Sequence, residues 1–165
     1  MSTATVQLHQ GEPRTALEVE HLCDWSIDLD PVEVIATPTG LRMNYRLKAG
    51  RCKGERLSGE FVPYSGGDWV LVGNDSIGRI DVRCTLRTDD DELIYVTNSG
   101  VVAMPPEIVE RFGAGERIPW NEMYARSLPR FETASEKYSW LNSIVCVAVN
   151  ELAADHVDYR IYRIL

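Results

Sequence analysis

The chain has 165 residues with a formal net charge of −8, and 44% of them are hydrophobic against 25% charged. This is enough for one domain with a real hydrophobic core, and no apolar run is long enough to form a membrane-spanning helix. The acidity comes without a compensating Lys/Arg cluster, which argues against nucleic acid as a partner and mainly favours solubility.

Residues 1–15 carry Gly11 and Pro13 and show no periodicity, and they read as a flexible N-terminal arm ahead of a single domain over 16–165. Met1-Ser2-Thr3-Ala4-Thr5 has no basic region followed by an apolar stretch, so no secretion signal is seen and a cytoplasmic location is expected. From Ala16 onward short β-like runs dominate. They are expected at 17–29, 32–35, 41–47 (with a bend near Gly50), 55–62, 68–72, 79–88, 92–98, 126–132, 138–149 and 155–164. Turn signals such as Pro38-Thr39-Gly40, Ser65-Gly66-Gly67 and Gly73-Asn74-Asp75 separate them. About ten strands without alternating helices imply an all-β protein, an antiparallel barrel or sandwich. One helix is predicted near 105–112: Pro105-Pro106 opens it, Glu107 sits in its first turn, and Gly113 is a suitable left-handed cap. Ile108, Val109 and Phe112 give it an apolar face that would plug or cover an end of a barrel. A further short turn fits 120–124.

The run Arg79–Thr88 alternates without a slip. Ile80, Val82, Cys84 and Leu86 share one face, and Arg79, Asp81, Arg83, Thr85 and Arg87 share the other. The polar row either faces water or, in a closed barrel, turns into a lumen where it can act on a ligand. The run Leu93–Asn98 should pair with it across Asp89-Asp90-Asp91 and bring Tyr95 and Asn98 alongside. Downstream, 124–133 mixes aromatic and ionisable groups, and Tyr138, Trp140 and Asn142 would share one strand face. No GxGxxG or P-loop is present, and Ser65-Gly66-Gly67 is best read as a turn. His9, His21 and His156 show neither metal-ligand spacing nor a sign of a Ser-His-Asp triad. Cys23, Cys52, Cys84 and Cys146 form no CxxC pair and are expected as buried free thiols. No metal and no cofactor is therefore expected.

The blocks Asp68-Trp69, Asp81–Asp90, Leu93–Gly100, Arg130-Phe131-Glu132-Thr133 and Tyr138-Ser139-Trp140-Leu141-Asn142 resemble the domain-of-unknown-function family 3237, from about Leu17 to the C-terminus. The resemblance implies one closed antiparallel β-barrel, lipocalin-like in appearance and assembling as a homo-oligomer. It also implies a cytosolic protein whose ligand is hydrophobic or aromatic, of polyketide-like or phenolic type. It tips Asp81 and Arg83 toward the lumen, with Arg87 left at the rim or in solvent. Two positions depart from the family pattern: Asp91 stands where glycine is usual, and Cys84 where an aromatic is usual.

Together these readings point to a cofactor-independent enzyme of lyase/hydratase, isomerase or cyclase type, or alternatively a barrel that only binds or carries such a molecule. The catalytic candidates are Asp81, Arg83, Tyr124, Arg126 and Glu132. Glu132 or Asp81 would serve as acid or base, and Arg83 or Arg126 would stabilise a developing enolate or carboxylate. The substrate-binding candidates are Trp69, Tyr95, Asn98, Trp140 and Asn142.

Overall fold

The structure is a computed structural model that describes residues 16–165, so the predicted N-terminal arm lies outside the described residues. Ten strands follow in chain order: β1 (Val19–Leu29), β2 (Glu33–Thr37), β3 (Gly40–Lys53), β4 (Gly59–Phe61), β5 (Gly67–Gly73), β6 (Gly78–Thr88), β7 (Leu93–Ala103), β8 (Tyr124–Glu132), β9 (Cys146–Ala153) and β10 (His156–Ile164). Helix α1 (Pro106–Gly113) lies between β7 and β8, and a 3₁₀ turn (Ser139–Ser143) lies between β8 and β9. All pairings are antiparallel. The order β1-β10-β9-β8-β7-β6-β4-β3 closes where β3 pairs back with β1. Eight strands close along this path, and two more add to it: β2 on the edge of β3, and β5 between β3 and β6.

The length of β3 makes the closure possible. Its first half pairs with β5 on one edge and β2 on the other, and its second half pairs with β1 and β4. Strands β4 and β5 therefore share the gap between β3 and β6. The strand continues through Gly50, and next to it the pairing with β1 slips by one residue, from Asp28 opposite Ala49 to Leu29 opposite Leu47, an irregularity at the place where a bend was expected. A Cβ at Gly50 would press on Ile27, Phe61 and the Ser26 carbonyl. Glycine there lets the wall pack tightly without breaking.

One half of the interior is solid. Trp25, almost fully buried, is met edge-on by Phe61, Tyr159 and Phe131 at 5.3, 5.5 and 5.9 Å between ring centroids, a favourable geometry for aromatic pairs. Beyond it Tyr138 and Leu141 close this end, and Asp90 at the β6–β7 tip accepts hydrogen bonds from the Tyr138 hydroxyl at 2.7 Å and Lys137 at 2.5 Å. At the opposite end α1 packs through Ile108 against Ile118, Met123 and Ala125 and covers one side of the mouth.

Several local expectations are corrected. The helix is not capped by Gly113. It ends in a Schellman arrangement with Gly115 at φ +88°, Gly115 N–H bonded to Phe112 and Glu116 N–H to Arg111. The predicted strand over 138–149 begins only at Cys146. Ahead of it, side chains take over the backbone bonds: Ser139 Oγ donates to the Glu136 carbonyl and Ser143 Oγ to that of Trp140, a local competition that favours a turn. The predicted strand over 55–62 shrinks to Gly59–Phe61 because Ser58 Oγ folds back onto the Gly54 carbonyl at 2.8 Å.

The largest correction concerns β6. Ile80, Val82, Cys84 and Leu86 face the interior, and the row with Asp81, Arg83 and Arg87 faces water. The Arg83 and Asp81 side chains are 59% and 53% exposed and lie 3.3 Å apart. The interior is filled by hydrocarbon, and unmatched charges there would lose hydration without compensation. The resemblance to a barrel family thus places a lumen correctly but on the other face of this strand.

Candidate functional site

Strand register brings a small set of polar groups to one level of the lumen. Tyr45 of β3 lies opposite Asp68 of β5, Asp68 opposite Val82 of β6, and Val82 opposite Asn98 of β7. From the other side of the closure, Trp25 of β1 lies opposite Tyr159 of β10, and Tyr159 opposite Asn150 of β9. Tyr159 sits beside Asn98 and within the field of Asp68, which joins the two rows. Each of these polar residues stands on the inward parity of its strand, among apolar neighbours such as Met43, Val70, Val96, Ala148 and Val157.

Above this level opens a cavity of about 330 Å³, within the range of small-molecule clefts. Leu41, Met43 and Leu47 of β3, Val70 and Val72 of β5, Ile80 of β6 and Leu152 of β9 form its walls, and Val109 and Phe112 of α1 form part of its roof. Among the described residues, no lysine or arginine lines it, and His156 stands at its edge.

Asp68 is the chemically distinctive group. Removal from water pushes its carboxyl up, the Asp81 N–H works against that, and the nearby Asp81 charge adds a smaller rise; the result is about 7. The hydrogen bond from Asp81 N–H to Asp68 Oδ1 is 3.0 Å. Burial, aided by the Asp68 charge, pushes the Tyr45 phenol up to about 12, and burial holds Tyr159 well above the ordinary phenol value. At neutral pH Asp68 can therefore hold or release a proton, whereas both phenols keep theirs. Asn98 and Asn150 are each 1% exposed; the Asn150 amide has no hydrogen-bond partner among the described residues, and Asn98, with no well-formed hydrogen bond, lies within reach of the Tyr159 hydroxyl.

Of the residues singled out from sequence, Asn98 is the one on the inward face. Asp81, Arg83, Glu132, Tyr95 and Trp69 lie on the outside of the wall. Tyr124 is exposed and carries the Arg126 guanidinium over its ring at 5.2 Å, while Arg126 donates to the Ala125 carbonyl at 2.7 Å. Trp140 is half-buried under the Arg56 guanidinium at 4.0 Å. Asn142 clamps Thr133: its Oδ1 accepts the Thr133 N–H and its Nδ2 donates to the Thr133 carbonyl, both at 2.9 Å. These last two belong to the closed end and act as structural fasteners. Asp68, Tyr45, Tyr159 and Asn150 were missed, although a polar residue sharing the parity of an apolar row was a usable sign for each.

The outer wall carries a triad-like grouping that deserves a chemical test. His156 Nδ1 lies 2.7 Å from Asp28 Oδ1 and Nε2 lies 3.2 Å from Ser26 Oγ. A second carboxylate, Asp158, is 3.0 Å from the same Nε2. Burial lowers the affinity of the ring for a proton, but the two carboxylates outweigh it and the pKa is raised. An imidazolium held by two acids has no lone pair to take the serine proton. The grouping is an ion network, extended by Arg117, which pairs with Asp158 and with Glu151. The wider groove of about 590 Å³ along β1, β9 and β10 is lined by such paired charges, including Asp24 with Arg160.

The fold and its interior define a closed antiparallel β-barrel with an apolar lumen and a buried polar floor. The chain belongs to the family described as protein of unknown function (DUF3237), which it matches over residues 17–164. A UPF0311 protein of Rhodopseudomonas palustris (strain ATCC BAA-98 / CGA009) is 30% identical over 127 residues, 77% of this chain and 82% of that one. The crystal structure of the R. palustris protein superposes with a TM-score of 0.86 at 27% identity, covering 92% of this chain and 100% of that chain. A β-barrel-like protein from Acinetobacter baumannii gives a TM-score of 0.77 at 28% identity over 95% of this chain and 100% of that chain. A Penicillium herquei protein shares the fold at a TM-score of 0.69 and 20% identity, over 94% and 99% of the two chains.

Proposed function

We propose that the barrel is a cofactor-independent enzyme that moves a proton on a hydrophobic or aromatic small molecule, polyketide-like or phenolic, held in the lumen. The reaction belongs to the lyase/hydratase, isomerase or cyclase type. Asp68 takes the acid–base role that sequence reasoning gave to Asp81 or Glu132. The observation that carries the proposal is the Asp68 carboxyl at about 7 in an apolar cavity, since a general acid–base group works best with a pKa near the working pH. The Tyr45 and Tyr159 hydroxyls and the Asn98 and Asn150 amides would hold the oxygen on which charge develops. The P. herquei protein with this fold is described as an enzyme, which makes catalysis in such a barrel reasonable.

Screening phenolic and enone compounds for turnover by the purified protein, followed by Asp68→Asn, tests this. The variant is expected to keep ligand affinity and lose at least about a hundredfold in rate, the usual contribution of a general acid or base. Glu132→Gln should leave rate and affinity unchanged, and Asp81→Asn should leave affinity unchanged and shift the pH profile of the rate slightly to lower pH, since its charge adds only a small part of the rise at Asp68. Turnover by Asp68→Asn at the wild-type rate would defeat the proposal.

The second reading, a barrel that binds or carries the molecule without changing it, is favoured by one observation. Among the described residues no lysine or arginine lines the cavity, and His156 at its edge is already held by Asp28 and Asp158, which leaves no free cation to stabilise a full anion. It predicts tight binding and no change in any bound compound.

A further inference from the structure

We infer that the ligand of the lumen is uncharged and enters with a hydroxyl group leading, and that the Asn98 and Asn150 amides receive that group. The inference rests on the lumen being the ligand site and adds the kind of molecule it accepts.

Charge decides the first half. The ionisable residues that face the cavity are Tyr45, Asp68 and Tyr159, with His156 at the edge. The His156 ring is already held by Asp28 and Asp158. A carboxylate, sulfonate or phosphate would give up its hydration to sit near Asp68 with no unengaged cation to meet it. A cationic amine fares poorly as well. Its one counter-ion would be Asp68, which has an oxygen engaged by the Asp81 N–H, and the otherwise largely hydrocarbon lining cannot replace the hydration an ammonium group gives up.

The amides decide the second half. Asn98 and Asn150 are each 1% exposed; neither the nitrogen nor the oxygen of Asn150 has a partner among the described residues, and Asn98, with no well-formed hydrogen bond of its own, lies within reach of the Tyr159 hydroxyl. Buried polar groups in proteins are nearly always paired, so an exception calls for a group to satisfy it. Each amide offers two donor hydrogens and an acceptor oxygen. A carbonyl on the ligand would answer only the donors, whereas a hydroxyl both accepts and donates and can answer both ends. Asn150 lines the cavity directly, opposite Tyr159, and Asn98 lies next to Tyr159 from the other row. The hydroxyl is thus drawn to the floor, and the remaining hydrocarbon rests against Val70, Ile80 and Phe112.

Equilibrium dialysis of the full chain at pH 7 against naphthalene, 2-naphthol, 2-naphthoate and 2-naphthylmethylammonium tests both halves with one ring system. The expected order places 2-naphthol at least about tenfold tighter than each of the other three, in keeping with the selectivity of sites built to hydrogen-bond a hydroxyl. Asn150→Leu and Asn98→Leu should each shrink the preference for 2-naphthol over naphthalene toward unity while naphthalene affinity holds. Binding of 2-naphthoate or the ammonium compound as tight as that of 2-naphthol overturns the charge rule. Equal binding of naphthalene and 2-naphthol overturns the role of the amides, whether or not the variants fold. No binding by any of the four overturns the inference along with the lumen as a ligand site. The 2-naphthol preference should survive Asp68→Asn, so this order can stand where the catalytic proposal fails, and the two are told apart.

Discussion

The Asp68 carboxylate accepts the main-chain N–H of Asp81 at 3.0 Å. Two acids that sit on adjacent strands are thereby given different tasks. The Asp81 side chain lies outside the wall beside Arg83 and contributes only its backbone to the interior. Asp68 reaches from β5 to β6 where the regular ladder is interrupted, between the pairs Asp68/Val82 and Leu71/Arg79. The carboxylate replaces a missing sheet contact, which fixes it in place at the base of the cavity. Such a group is pre-oriented at no further conformational cost when a ligand arrives.

That arrangement has a stability signature. The Asp68 carboxyl is raised in the folded state from 3.8 to about 7, so the native protein holds a proton there that the unfolded chain has lost. Stability is therefore highest below pH 4 with respect to this group and falls as pH climbs from about 4 to 7. The shift corresponds to about 4 kcal/mol at 1.36 kcal/mol per unit, and Asp68 retains some contact with solvent, so part of it is realised. Asp68→Asn keeps the acceptor for Asp81 N–H and removes the titration. Urea unfolding should show the variant more stable than wild type by about 2 kcal/mol at pH 8 and equal to it at pH 4. A parallel pH profile for the two proteins would contradict the burial of an ionising group here.

Much of the architecture was legible because apolar alternation directly reports which strand positions face inward. The β6 row Ile80, Val82, Cys84 and Leu86 was visible as a unit, and its burial follows. What misled was the search for function in the complementary polar row. In a barrel with a hydrocarbon interior, the informative residue is a polar one that interrupts the apolar parity: Asp68 with Val70 and Val72, Asn98 with Ile94 and Val96, Asn150 with Cys146 and Ala148. Each breaks its pattern only once, so periodicity averages it away. The convergence of these residues depends on register across four strand pairings and could not be read from any one segment. The family-like segment Tyr138–Asn142 carried a different hidden meaning, since its Asn142 fastens backbone rather than ligand.

The Asn142 clamp on Thr133 predicts a purely structural loss. Two hydrogen bonds of 2.9 Å join the 3₁₀ turn to the end of β8, and Thr133 Oγ1 extends the link to the Leu93 carbonyl at 2.9 Å. Asn142→Ala should cost about 1–2 kcal/mol in thermal or urea unfolding, the scale of one or two lost hydrogen bonds of a partly exposed side chain. Ligand affinity should be unaffected, because the clamp lies at the closed end. A loss of affinity without a loss of stability would mean that Asn142 faces a ligand after all.

His156 gives the opposite pH dependence to a depressed acid. Burial works against protonation, yet the hydrogen bonds to Asp28 and Asp158 leave its folded pKa above the ordinary value of 6.5. The stabilisation from this imidazolium is complete below pH 6.5 and disappears as pH rises through the raised folded value. His156→Gln should therefore destabilise by about 1 kcal/mol at pH 5.5 and by clearly less at pH 9. Unfolding midpoints at the two pH values check it, and an equal loss at both would assign the effect to packing.

The hairpin tip between β6 and β7 offers a test of backbone strain. Thr88 N–H bonds to the Glu92 carbonyl and Asp91 N–H to the Thr88 carbonyl, both at 2.9 Å, which closes a three-residue loop. Asp91 ends that loop at φ +68°, the left-handed position that such loops normally give to glycine. Aspartate tolerates the conformation better than most residues but less well than glycine. Its carboxylate recovers part of the strain through Arg87 at 2.5 Å, although the pair is open to water, with Asp91 82% exposed, and so contributes less than about 1 kcal/mol. Asp91→Gly should stabilise the barrel by about 0.5 kcal/mol, and Asp91→Ala should destabilise it by about 1 kcal/mol, because alanine keeps the strain and loses the ion pair. The order glycine, aspartate, alanine in unfolding free energy is the decisive readout. Adding 0.5 M salt should bring aspartate closer to alanine and leave the gap between glycine and alanine unchanged, since screening acts on the pair and not on the backbone.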